Sequence, residues 1–239
     1  MVPGTPPDGV LMIKSQMNAC LIALAIAVGV PGLSAAATSQ NTSPGQGTSA
    51  APTGAESAVT DPSAKQISAF YAVLLDSMKR AKTVNVDGRY KMLAPVVDAT
   101  FDFPTMTKMI IGPGWDSMSD TDHKALIAAF RRMTIANYAR NFDGYSGEAF
   151  TVDPKVVERS GDKVVSSQMT APGKAPIPFL YRMSKTPDGW KVIDVFLNGY
   201  VSEVATRRAD FASTLKSGGA KALVDKINAL TDKILATGN

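Results

Sequence analysis

Reactive chemistry is what this sequence has least of. It holds one cysteine, Cys20, one histidine, His123, and two tryptophans in 239 residues. One thiol excludes an internal disulfide framework, and one imidazole with no other soft ligand excludes the usual zinc sites. His123 sits in the first turn of a polar helix start, where it reads as an exposed structural residue. No G-x-S-x-G, H-E-x-x-H or P-loop spacing occurs. Gly218-Gly219-Ala220-Lys221 lacks both the earlier glycine and the following Ser or Thr of a nucleotide loop, so it reads as a helix break. Neither a metal nor a cofactor is expected. The basic clusters at Lys79, Arg80 and Lys82, at Arg131 and Arg132, and at Arg207 and Arg208 are short and not interleaved with aromatics, which argues against nucleic acid. The net charge of +4 suits an anionic surface or an acidic partner and decides nothing alone.

Long apolar runs are nearly absent too. The exception, Ala19–Val30, follows Lys14 and precedes Pro31, Gly32 and Ala35-Ala36-Ala37. It is too short to span a bilayer and reads as the h-region of a secretory signal, residues 1–37, cleaved near Ala37. Cys20 lies inside it and leaves with it. Residues 38–60 are rich in Ser, Thr, Ala, Gly and Pro with one charge, Glu56. They cannot bury enough apolar surface to offset their ordering entropy, so a disordered linker is expected. Residues 61–239 form one domain, long enough to close a core of its own.

Asp61-Pro62 opens a helix with Asp as cap and Pro at its first position, and Ile67, Phe70, Leu74, Leu75 and Met78 recur at helical spacing to about Lys82. Gly88 is read as a break before a shorter helix, Tyr90–Thr100, interrupted by Pro95. Phe101–Ile111 is a third piece, stopped by Gly112-Pro113-Gly114. Ser119 to Asp122 resembles a capping box and starts the longest helix, with Leu126, Ala129, Phe130 and Met133 on one stripe. Four strands follow at Glu148–Arg159, Asp162–Thr170, Ile177–Lys185 and Gly189–Leu197, joined by Ser160-Gly161, Ala171-Pro172-Gly173 and Pro187-Asp188-Gly189. Two helices end the chain: Ser202–Leu215, then one carrying Leu223, Ile227, Leu230 and Ile234. The fold class is α+β, a four-stranded antiparallel meander wrapped by helices.

In Gly189–Leu197, Trp190, Val192, Asp194 and Phe196 alternate with Lys191, Ile193, Val195 and Leu197. Both faces are largely apolar, which calls for helices on one and a second layer or an apolar ligand on the other. Asp194 is the one carboxylate in mid-strand among apolar neighbours. If Thr186 pairs with Gly189, Tyr181 lies across from Asp194; a slip of one residue puts Arg182 there. Asp194 then reads as a buried carboxylate satisfied by that partner, a structural role. The alternative is a small hydrolase or isomerase acting on an apolar substrate through Asp194 and Tyr181. A third possibility is an adaptor whose apolar faces are a filled core.

The runs YKMLAPVVDATFDFPTMTKMIIGPGW, RRMTIANYARNFDGYSGEAF and YRMSKTPDGWKVIDVFLNGYVSEVATRRADF resemble the periplasmic phospholipid-shuttle, or toluene-tolerance, family of MlaC type. The resemblance extends from about Pro62 to Ile234. The ending VSEVATRRADF is similar to the branch associated with hopanoid biosynthesis. The resemblance implies a curved, cone-shaped, NTF2-like sheet enclosing a lipid-sized apolar cavity, with no catalysis. It also implies a soluble periplasmic carrier of phospholipid or hopanoid-type lipid. Its partners would be an outer-membrane lipoprotein complex and an inner-membrane ABC transporter, serving outer-membrane lipid asymmetry. For the cavity wall, apolar position selects Phe101, Met106, Ile110, Trp115, Phe130, Met133 and Tyr138 from the helices. The sheet is expected to add Val165, Met169, Phe179, Tyr181, Val195 and Leu197.

Overall fold

The computed structural model describes residues 59–237, so the expected signal segment and nearly all of the expected linker lie outside the described residues. Five helices and six strands follow in chain order. Helix α1 (Pro62–Lys79) is capped by the Asp61 carboxylate, which accepts from the Ser63 amide at 2.8 Å. Helix α2 (Val86–Thr100) begins earlier than its glycine suggested. Asn85 caps it by accepting from the Gly88 amide, so Gly88 sits inside the first turn instead of breaking the chain. Helix α3 (Phe103–Ile111) is capped by Asp102 and ends at Gly112, whose φ of 73° a side chain would resist; a 3-10 turn (Gly112–Ser117) follows. Helix α4 (Asp120–Asn141) starts at the Ser119 cap. Helix α5 (Glu203–Ala236) is two helices joined at Gly219, where φ 66° and ψ −164° interrupt the helical path.

The sheet has six strands where four were expected: β1 (Ala149–Val152), β2 (Val157–Arg159), β3 (Asp162–Thr170), β4 (Ile177–Thr186), β5 (Gly189–Leu197) and β6 (Val201–Ser202). The first expected strand is split because Pro154 cannot donate to a ladder, and the Asp153 carboxylate turns the chain by accepting from the Lys155 amide at 2.8 Å. Both pieces pair antiparallel with β3, and the order runs β1-β3-β4-β5-β6. The short β6 returns through Asn198 and Gly199, both at positive φ, to pair with the end of β5.

Thr186 does pair with Gly189, yet Tyr181 faces Val195 and Arg182 faces Asp194, because a β-bulge interrupts the β4–β5 ladder after Met183↔Val192. One extra residue on β5 moves every later side chain to the other face. Val192 and Val195, on opposite faces by simple alternation, therefore both point inward with Leu197. On the edge of β5 beside the bulge, the Val192 carbonyl accepts from the Asp102 amide at 2.9 Å, docking the α2–α3 junction.

One face of the sheet is covered throughout, and the other only along β5, where β6 and the first turn of α5 bury Asp194. On β3 and β4 the inward residues Val165, Ser167, Met169, Phe179, Tyr181 and Met183 are buried, whereas Val164, Ser166, Gln168, Leu180 and Arg182 are half-buried or exposed. The expected second covering layer is therefore corrected: Leu180 and Phe196 rest partly against water. Helix α1 lies on the inner face, α4 packs on α2, α3 and α5, and all contribute to one apolar core. Buried Arg89 ties α2 to the end of α4 by donating to the carbonyls of Ala139 and Val84 at 2.8 and 2.7 Å.

Candidate functional site

Between the inner face of the sheet and helices α1, α3, α4 and α5 the packing opens into a cavity. The space available to the centre of a water-sized sphere is about 140 Å³, and the empty space including the open mouth is about 1090 Å³. One water needs only about 10–15 Å³ by the first measure, so this is room for an organic molecule. Helical periodicity places Phe130, Met133, Thr134, Asn137, Tyr138 and Asn141 on the side of α4 that faces it. Met106, Thr107 and Ile110 do the same on α3, and Glu203, Val204 and Arg207 on α5.

Of the residues selected from sequence, Phe101, Met106, Ile110, Phe130, Met133, Tyr138, Phe179, Tyr181, Val195 and Leu197 come together on this wall. Three do not. Trp115 turns away to stack on His123, centroids 3.9 Å apart and rings 13° from parallel, while its carbonyl meets the histidine Nε2 at 2.9 Å. His123 is thus a half-buried packing residue, not an exposed one. Val165 points inward but is fully covered, and Met169 is buried at the end of β3. Sequence reasoning missed Tyr71, Leu74, Phe103, Phe142 and Phe150, which look like ordinary core residues. It also missed the polar positions Thr107, Thr134, Asn137, Asn141, Glu203 and Arg207. Their only signal was a polar residue repeating at i and i+4 beside an apolar stripe, as in Asn137 with Asn141 and Glu203 with Arg207.

The polar groups of the sheet side are satisfied. The Tyr71 hydroxyl bonds to those of Ser167 and Tyr181, each at 2.8 Å. Burial pushes the Tyr71 phenol up to about 12, and desolvation likewise raises those of Tyr138 and Tyr181. Raised in this way, all three phenols stay protonated at neutral pH. Asp194 is buried on the far side of β5 from Tyr181, so the two form no catalytic pair. Its partners are neither a tyrosine nor an arginine. One carboxylate oxygen accepts from the amides of Val195 and Val204 at 2.8 and 3.1 Å, and the other from the Ser202 hydroxyl at 2.6 Å. Arg182, opposite it in the ladder, bonds to Asp162 instead. Asp194 thus fastens β6 and the first turn of α5 to the sheet, a structural role with other partners than expected.

The helical side differs. Among the described residues, the side-chain amides of Asn137 and Asn141 bond to no protein group, and the Thr107 hydroxyl is buried without a partner. Glu203 meets Arg207 at 3.4 Å, and Arg207 meets Asp210 at 3.6 Å. Burial raises the Glu203 carboxyl, Arg207 opposes that, and the charges of Asp194 and Asp210 add to the rise. No group of His, Cys, Asp and Glu suited to a metal occurs among the described residues, and no helix there is long and apolar enough to cross a membrane.

An open antiparallel sheet with helices on one face, closed around an aromatic-lined cavity, defines an α+β container with a greasy interior. The MlaC protein family model matches residues 69–229, and the chain belongs to that family. The solved structure of a phospholipid-binding protein from Ralstonia solanacearum, in complex with a phospholipid, superposes with a TM-score of 0.64 at 21% sequence identity. The match covers 73% of this chain and 99% of that one. No curated protein matches the chain.

Proposed function

We propose that this protein is a lipid-binding carrier, not an enzyme. The observation that carries the reading is an apolar cavity between the helices and the covered sheet face, in a family member whose fold matches that of a protein solved in complex with a phospholipid. Physical chemistry says why a container is needed. Each methylene exposed to water costs about 0.8 kcal/mol, so two chains of ~16 carbons cost on the order of 25 kcal/mol. The walls of Phe101, Met106, Ile110, Phe130, Phe179 and Leu197 replace that water with dispersion contacts. Methionine at 106 and 133 lets the wall adapt to different tails.

In the full reading, residues 1–37 direct export and are removed. The domain carries phospholipid, or a hopanoid-type lipid, across the periplasm between an outer-membrane lipoprotein complex and an inner-membrane ABC transporter. Native mass spectrometry of the exported protein tests the core of it. The expected result is lipid bound at one molecule per chain and a mature N-terminus near Thr38. Protein that carries no lipid on export and takes up neither phosphatidylethanolamine nor a hopanoid from vesicles refutes the carrier.

A further inference from the structure

The cavity has a polar strip that a plain hydrocarbon container does not need. Glu203 and Arg207 lie one turn apart on α5, and Asn137 and Asn141 one turn apart on α4, all four on the cavity wall. Apolar wall residues such as Leu74 and Phe101 are at most 3% exposed, whereas the Glu203 and Arg207 side chains keep 23% and 19% of their surface, so the strip lies toward solvent. A polar group at the edge of an apolar cavity is costly unless something completes its hydrogen bonds. Here little in the protein does. A guanidinium has five N–H donors, and Arg207 makes one long contact to Glu203 and one longer to Asp210. The amides of Asn137 and Asn141 bond to no protein group among the described residues.

The charges choose the ligand. Two carboxylates, Glu203 at 3.4 Å and Asp210 at 3.6 Å, flank the single cation Arg207, so the strip favours a head that brings positive charge. Its one guanidinium still offers a planar fork suited to phosphate. Resting on the carrier reading, we propose that Arg207, Glu203, Asn137 and Asn141 form a headgroup subsite for a zwitterionic, amine-bearing phospholipid. The guanidinium takes the phosphate, the Glu203 carboxylate takes the ammonium, and the two amides take phosphate or ester oxygens.

The test loads the protein from vesicles holding equal phosphatidylethanolamine, phosphatidylglycerol and diacylglycerol with the same chains, and reads the cargo by native mass spectrometry. Wild type is expected to favour phosphatidylethanolamine over phosphatidylglycerol by roughly fivefold. Glu203→Gln is expected to bring that ratio to about one with total lipid retained. Arg207→Gln is expected to lower the preference for either phospholipid over diacylglycerol by a similar factor. Should Glu203→Gln not fold, Glu203→Asp, which draws the carboxylate back from the ammonium, carries the test with a reduced ratio as the expected result. A wild-type ratio near one, or a ratio unmoved by the variant, overturns the subsite while leaving the carrier standing. A wild type that binds none of the three lipids refutes the carrier itself.

Discussion

On the sheet side of the cavity, the Tyr71 hydroxyl bonds to those of Tyr181 and Ser167, and behind β5 Asp194 receives three donors. On the helical side, the half-exposed Asn137 and Asn141 bond to no protein group among the described residues and are left to water or a ligand, and Glu203 and Arg207 meet at 3.4 Å. Satisfied buried polar groups hold a shape; unsatisfied ones cost stability and persist where something else completes them. The difference divides the cavity into a wall that keeps the container open and a strip that meets its contents.

The sharpest way to break that division is to remove the best-satisfied group. Asp194→Ala strands two amides and a hydroxyl at the β5–β6–α5 junction and is expected to cost about 3 kcal/mol in urea unfolding. Loss of lipid binding at unchanged stability would put Asp194 with the ligand instead of the scaffold. Adding bulk comes next. Val165→Trp enters a fully packed position and is expected to destabilise by about 1–3 kcal/mol. Val195→Trp enters the cavity and is expected to cost less than about 1 kcal/mol while displacing lipid. Equal destabilisation by both would mean a filled core.

Tyr71→Phe leaves the Tyr181 hydroxyl without its partner and Ser167 with only a 3.5 Å bond to the Phe179 carbonyl, with an expected cost of about 1 kcal/mol and a loosened wall readable by hydrogen exchange. The smallest effect concerns pH. Burial alone would raise the Asp61 carboxyl, but hydrogen bonds from Lys163, at 2.6 Å, and from Ser63 outweigh it and hold it at about 2 against an ordinary 3.8. A carboxyl depressed in the folded state adds stability that is fully present above about pH 4 and is lost as pH falls toward 2. With solvent screening, this contribution is about 1 kcal/mol or less. Asp61→Asn is expected to flatten the stability curve over that window, and an unchanged curve would show that the pair is idle.

Local rules carried much of the fold. Asp61-Pro62, Ser119 and the Gly-rich turns marked helix starts and hairpins because capping and turn chemistry depend only on neighbours in sequence. The errors came where a local signal had a non-local or competing answer. Gly88 looked like a break, but the Asn85 cap absorbs it within a first turn. Pro154 split a strand whose residues are otherwise good strand formers. The bulge beside Val192 was invisible, since nothing in GWKVIDVFL says which residue is extra, yet it decides that Val192 and Val195 share a face. Nor could position reveal that Trp115 would stack on His123 instead of lining the cavity, because that pairing joins a 3-10 turn to the next helix.

By itself, then, the sequence determined most helix starts and the β3–β4–β5 hairpins, the poverty of catalytic groups and the surplus of large apolar residues, all of which follow from short-range chemistry and composition. Tertiary structure alone decided which apolar residues border empty space and which are packed solid. It also decided that Asp194 serves a helix start, and that Asn137, Asn141, Glu203 and Arg207 meet at one cavity edge. A cavity is the space that several elements fail to fill together, so no single element's pattern can announce it.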